Sequence, residues 1–487
     1  MTAAPPESHR AGWPTLVLVC LAQFMVILDV SIVNVALPSI RTDLHFSQIN
    51  LQWVVNAYTL TFAGFLLLGG RAADLLGRRR VFIGGLLLFA LASLVGGLSQ
   101  SQGMLIGARA AQGLGGAVVS PATLAILTTS FSEGAERNRA LGVWGAMGGA
   151  GGAAGALLGG ILTDALSWQW ILFVNVPIGI AAAVAAPRLV EEGRNAAAIA
   201  RGFDIAGAVT ITLGLVALVF GIVRTDQYGW GSAEALVPMG VGLALIAVFL
   251  VIEGRLARWP LMPLRIFAAR TLTGANLVVF MLGASMFAMW FFVSLYLQQV
   301  LGYTAIEAGL AFLPMTATII IGSTLASRGV TRFGPKTLLV CGMSLQAAGL
   351  LLFAMISPTG NYLDDVLAPS LVTAAGLGLS FVPVTIAAVV GVKPTEAGLA
   401  SGLVNTSRQM GGSLGLAILA TVAGTTTSHE LAGGTGASKA LTDGFHHAFL
   451  VGAAFAAAGA LFALFVLPRV RAPRRGPAPE PAQATEG

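Results

Sequence analysis

Apolar runs of roughly 18 to 25 residues, each able to cross about 30 Å of hydrocarbon as a helix, follow one another from residue 13 to residue 467 with only short polar connections. Inside a bilayer the backbone must satisfy its own N–H and C=O groups, so such a chain folds as a bundle of membrane-spanning helices. A water-soluble alternative fails on composition. Of 487 residues, 56% are hydrophobic and only 10% charged, too few to cover a globular surface. The spans read as 13–37, 50–69, 81–98, 103–130, 138–162, 168–186, 205–223, 234–252, 271–298, 305–326, 337–357, 364–391, 397–424 and 445–467. No segment between them is long enough for a large soluble domain.

Charge orients the bundle. With the N-terminus in the cytoplasm, 22 of the 27 Lys and Arg fall on inner loops and tails, 3 outside (Arg41, Arg224 and Lys439) and 2 within spans (Arg109 and Arg408). This bias predicts that both termini are cytoplasmic. Arg outnumbers Lys 24 to 3, and Ala and Gly are abundant, which points to a high-GC bacterium and its cytoplasmic membrane. The net charge of +6 suits anionic lipid headgroups rather than nucleic acid. Cys20 and Cys341 each sit in an apolar span and read as small core residues, not a disulfide or a metal site. The first span is too long for a cleaved signal peptide and is expected to remain as the first helix. Residues 469–487, rich in Pro and Arg, read as a disordered cytoplasmic tail.

The chain also repeats itself. At an offset of 257 residues, "RAADLLGRRRVFIGG" from Arg71 aligns with "RGVTRFGPKTLLVCG" from Arg328, matching Gly77 to Gly334. Similarly, "ALGVWGAMGGAGGAAG" from Ala140 aligns with "ASGLVNTSRQMGGSLG" from Ala400. The expected organisation is a six-helix bundle over 1–186, a linker with two extra helices over 187–270, and a second six-helix bundle over 271–468. Repeats of this kind build transporters in which two bundles rock about a central site. The two middle helices lie outside the repeat and are expected to pack at the periphery.

Two charges lie in the first bundle's apolar spans. Counted along their helices, Asp29 is roughly 13 Å and Arg109 roughly 9 Å from the outer ends, close enough in depth to meet. An intramembrane charge is costly unless it is paired or faces a wet cavity, so the two read either as a functional proton site or as a static ion pair. The loop "GRAADLLGRRR" places Gly70, Asp74, Gly77, Arg78 and Arg79 between the second and third spans, as a gate of breakable ion pairs or as a basic anchor. The fifth span carries Gly151, Gly155 and Gly159 in one i, i+4 row, with Gly148, Gly152 and Gly160 along the next. Small residues so arranged allow close helix contact and are expected at the moving interface. In the second bundle Arg408 lies roughly 18 Å from the inner end of its helix, where it contacts substrate or bonds to backbone carbonyls.

Together these motifs resemble the fourteen-helix drug:proton antiporters of the major facilitator superfamily along essentially the whole chain. "LDVSIVNVALP" is similar to that family's first-helix motif, "GRAADLLGRR" to its loop motif with Leu75 where a basic residue is usual, and "RAAQGLGG" to its fourth-helix motif. The glycine-rich helix resembles the antiporter motif through Gly151, Gly155, Gly159 and Gly160, with Ala156 in place of the proline, and "NTSRQMGGSLG" also resembles the family. The resemblance implies an all-α integral membrane fold and export coupled to inward proton movement, with Asp29 and Arg109 in proton coupling.

The residues expected to bind an amphipathic drug are Asp29, Asn34, Trp144, Tyr296, Gln298, Asn405 and Arg408. No cofactor or metal is expected, and a monomer is the simplest assembly because one chain holds a complete pathway. An enzyme is disfavoured because no paired carboxylates, nucleophile with base or ligand cluster stand out. "GVTRFGPKT" mimics a phosphate loop, but Pro335 separates Gly334 from Lys336. The alternative is an exporter of lipid or of an endogenous hydrophobic metabolite on the same fold.

Overall fold

The computed structural model describes residues 12–131, 135–193, 204–390, 392 and 396–468. Among them are 13 helices long and apolar enough to cross a membrane. The first half supplies α1 (Trp13–Asp43), α2 (Trp53–Leu76), α3 (Arg78–Gly97), α4 (Gln102–Ser130), α5 (Ala135–Ala165) and α6 (Trp170–Leu189). Next come α7 (Ile205–Tyr228), α8 (Ala233–Val251) and α9 (Arg270–Leu295). The long stretch Ala305–Phe353 breaks at Gly334 and therefore makes two crossings, α10 (305–333) and α11 (335–353). The chain finishes with α12 (Tyr362–Val389), α13 (Ala397–Ala432) and α14 (Ala437–Phe465). Fourteen crossings put the start of α1 and the end of α14 on one side, termed here the tail face. The opposite side is the distal face. The tail beyond 468 lies outside the described residues.

The break at Gly334 carries the internal repeat into backbone geometry. Gly334 has φ 75° and ψ 159°, and its counterpart Gly77, between α2 and α3, has φ 105° and ψ 129°. Both lie where an L side chain is strained, so glycine is what lets two antiparallel helices join without a longer loop. Gly77→Ala is therefore expected to destabilise the protein by about 1–3 kcal/mol, read as a lowered melting temperature in detergent. An unchanged melting point would mean that the turn tolerates a β-carbon.

Packing follows small residues. In the first half, α1 packs on α5, α4 and α6, α2 on α4, and α3 on α4 and α6. In the second half, α9 packs on α13, α14 and α12, and α14 on α13 and the stretch holding α10 and α11. A β-carbon at Gly411 would strike the backbone of Phe280, which shows how closely α13 lies against α9. The halves meet along two seams, α2 with α13 and α5 with α10, and α1 also touches α9.

The two middle helices differ from one another. α8 is largely exposed, as expected of a peripheral helix facing lipid. α7, in contrast, packs against both α2 and α13 and so covers one of the seams. Its Ile211, Leu215, Val219 and Ile222 share an apolar cluster with Leu60 of α2 and Ala417 of α13. The peripheral place expected for both middle helices therefore suits α8, whereas α7 packs on both bundles.

Candidate functional site

The charged residue in the first span is enclosed on every side. Asp29 is 0% exposed and Arg109 2%, and Arg109 Nη1 stands 2.5 Å from Asp29 Oδ2. The other carboxylate oxygen, Oδ1, accepts from Gln112 Nε2 at 3.0 Å and Asn175 Nδ2 at 2.9 Å. Arg109 donates further to Gln112 Oε1 at 2.9 Å and to the Val54 carbonyl at 3.0 Å. Its guanidinium lies 4.5 Å from the centre of the Tyr58 ring, a favourable cation–π geometry. Gln112 in turn donates to Ser93 Oγ at 2.7 Å. Four helices, α1, α2, α4 and α6, thus build the carboxylate–guanidinium pair and its direct hydrogen bonds, and α3 joins through Ser93 on Gln112.

Burial of this kind is tolerated because the charges are paired with each other and both carboxylate oxygens and the Arg109 Nε and Nη1 groups are hydrogen-bonded. Two polar atoms beside the cage stay without partners, Tyr58 OH and Asn175 Oδ1. Sequence reading singled out Asp29 and Arg109 but not Gln112, Asn175, Ser93 or Tyr58. The available signal was three polar residues and a tyrosine inside apolar spans, with Gln112 one helical turn from Arg109.

The other expected site residues scatter. Half-buried Trp144 donates Nε1 to Thr123 Oγ1 at 3.1 Å, and Thr123 bonds Gln23 Oε1 at 3.3 Å, joining α5, α4 and α1. Arg408 Nη2 meets Asn405 Oδ1 at 2.6 Å on α13, and the guanidinium lies 5.8 Å from the Phe381 ring. Tyr296 points into the second half, donating to the Ser357 carbonyl at 2.6 Å. Asn34 and Gln298 belong instead to the seam between halves. In the loop, Gly70 packs on Pro121, and Arg79 and Arg80 pair with Glu192 at 3.4 and 3.5 Å. The Arg78 backbone N–H donates to the Gly193 carbonyl. The side chain of Asp74 lies outside the described residues.

The glycine helix divides its duties. Gly151, Gly155 and Gly159 pack on Ile27, Ser31 and Ile32 of α1, within their own bundle rather than across the interface. The contact with the other half is made by Gly160, against Ala305 and Ile306, and by Ala156, against Gly309. The family's proline position is thus a cross-seam contact here. Nearer the tail face, Gly142, Gly145 and Gly148 have open space where a β-carbon would stand.

Bonds between the halves gather towards the distal face. Ser294 Oγ donates to the Asn34 carbonyl at 2.6 Å, Gln298 Nε2 to the Val35 carbonyl at 2.9 Å, and Arg41 Nη1 to Gln299 Oε1 at 3.1 Å. Asp164 at the end of α5 accepts the Ala305 and Ile306 N–H groups at 3.2 and 2.7 Å, a carboxylate on the positive end of α10. At mid-depth, Thr59 and Ser413 hydroxyls meet at 2.5 Å. On the distal side, then, the two halves are linked by these few hydrogen bonds.

Residues 19–416 match the model of the Major Facilitator Superfamily. The chain belongs to this superfamily. The cephamycin export protein CmcT of Amycolatopsis lactamdurans is 44% identical over 414 residues, covering 85% of each chain. The puromycin resistance protein pur8 of Streptomyces alboniger is 39% identical over 454 residues, 93% of this chain and 89% of that one. Among solved structures, a bacterial homologue of the human lysosomal transporter Spinster, inward-facing and unoccupied, superimposes with a TM-score of 0.66 at 15% identity. The match covers 94% of this chain and 97% of that one and shows the shared fold. As a superfamily member with fourteen apolar crossings, the protein is a multi-pass membrane protein.

Proposed function

We propose that this protein is a proton-coupled antiporter that exports amphipathic drugs or antibiotics from the cytoplasm by alternating access. On this reading the tail face, which carries most of the arginine, is cytoplasmic, and the distal closure describes the state that loads substrate. Export and resistance as the named roles of CmcT and pur8 support the substrate class.

The observation that carries the coupling is the Asp29 cage. Burial favours the neutral carboxyl and a neighbouring arginine favours the ionised one, so any movement that changes the Asp29–Arg109 distance changes proton affinity. Because α1 also bonds to α9 through Asn34 and Val35, rocking of the halves acts on the helix that holds Asp29. Protonation and substrate then favour different states, as coupling requires. The half-buried Trp144, Asn405 and Arg408 offer aromatic and polar groups to the cargo, which suits a large amphipathic molecule.

The test is uphill export of a fluorescent lipophilic substrate in everted vesicles under an imposed proton gradient. Asp29, expected above to touch the drug as well, is fully enclosed and has no surface to offer it, so Asp29→Asn is expected still to bind substrate yet fail to concentrate it. A variant that still pumps at the wild-type rate would remove Asp29 from the coupling step.

A further inference from the structure

A pair of acidic side chains, Asp204 and Glu253, lies far along the chain from Asp29, at the tail-face base of α7 and α8. Asp204 caps α7, accepting the Gly207 N–H on Oδ1 at 2.7 Å, and is 7% exposed. Glu253 follows α8 and is 4% exposed. Its Oε1 accepts the Leu261 N–H at 3.3 Å and its Oε2 the Met262 N–H at 2.9 Å. Both amides belong to the connection between α8 and α9, the segment that joins the two halves.

The carboxyls face each other over the bare Cα of Gly207. A β-carbon there would stand 2.8 Å from Asp204 Oδ2 and 2.8 Å from Glu253 Oε1, and the two side chains are within hydrogen-bonding reach. Yet among the described residues no donor reaches the buried Asp204 Oδ2. Two carboxylates alone supply none. A single proton between them supplies the missing donor and removes the like-charge repulsion.

We infer that Asp204 and Glu253 form a proton-binding site, separate from the Asp29 cage, whose occupancy fixes the connection between the halves. With one proton the pair is held together and Glu253 keeps both amides. Without it, two buried like charges repel and draw in water, and Leu261 and Met262 are released. Other charged groups reach this corner. Arg71 of α2 donates to the Trp259 and Pro260 carbonyls at 3.1 and 3.2 Å, so α2 grips the same connection from the other side. Arg255 is exposed, Arg258 lies over the Trp259 ring, and Arg265 pairs with Glu396 before α13. All but Arg71 and Glu396 sit on the connection or its approach and move with it.

The experiment is hydrogen exchange by mass spectrometry on the full chain in nanodiscs, following peptides over 257–269 between about pH 5 and about pH 9 and correcting for intrinsic exchange. Wild-type protection is expected to fall by about tenfold or more as pH rises. In Glu253→Gln, whose amide donates to Asp204 at any pH, protection should stay level. Asp204→Asn, which removes the like charge and leaves Glu253 to hold the amides, should also stay level and carries the test if the first variant fails to fold. Infrared spectra should show a protonated-carboxyl band in wild type and Asp29→Asn that is diminished in Glu253→Gln. Protection independent of pH in wild type, or variants that follow the wild-type curve, would overturn the inference. Since no transport is measured, the outcome is independent of whether Asp29 couples protons to export.

Discussion

Arg109→Met is expected to abolish uphill export and to destabilise the folded protein by roughly 3–5 kcal/mol, the range found when one partner of a buried ion pair is removed. The loss has two parts. Asp29, fully buried, is left without its counter-charge, and the Val54 carbonyl loses the donor that ties α2 to α4. The double variant Asp29→Asn/Arg109→Met should recover most of that stability, because a neutral amide can still accept from Gln112 and Asn175. It should not recover export, since the cage no longer holds a carboxyl to carry the proton. Arg109→Lys should also fail, for an ammonium cannot reach Asp29, Gln112 and Val54 with the planar fork that Arg109 uses. Melting curves of the three variants in detergent, set beside vesicle export, decide the matter. Equal stability of Arg109→Met and wild type would mean that the pair holds nothing in place.

The ion pair illustrates how much a sequence discloses about such a site. Depth along a helix follows from residue counting alone, so Asp29 and Arg109 could be set at similar levels before any contact was known. The rotation of each helix about its axis does not follow from counting, because a few polar residues scattered along an apolar span do not say which of them face one another. For that reason Gln112 and Asn175 were passed over, although each completes the carboxylate's hydrogen bonding. The same limit explains the glycine helix. Spacing established that Gly151, Gly155 and Gly159 share a face, but that face meets α1, and the neighbouring Gly160 meets α10. Turn chemistry was more legible. The matched glycines at 77 and 334 both adopt positive φ, because a tight junction between antiparallel helices allows little else. For α7, long-range packing decided its place between α2 and α13, and nothing in its own pattern announced that.

Gly160 offers the second large effect. A β-carbon there would sit 2.6 Å from both the Ala305 carbonyl oxygen and Ile306 Cα, atoms of the opposing backbone that no rotamer change can withdraw. Gly160→Val must therefore push α5 and α10 apart just where Asp164 caps α10. Overpacking of this kind costs about 1–3 kcal/mol, enough to shift a two-state balance by roughly 5- to 150-fold. On the alternating-access reading the clash exists only when the distal seam is shut, so the variant should favour distal opening and lose export by a comparable factor. A cysteine at Ser294, buried in the closed seam, reports the shift when Cys20 and Cys341 are replaced by serine. Its labelling by a membrane-impermeant maleimide should rise in Gly160→Val. Gly148→Val is the control, because open space surrounds that position; its labelling and export should match the parent. Unaltered labelling in Gly160→Val would mean that α5 and α10 can part and rejoin without this contact, and the distal gate would then rest on the α1–α9 hydrogen bonds alone.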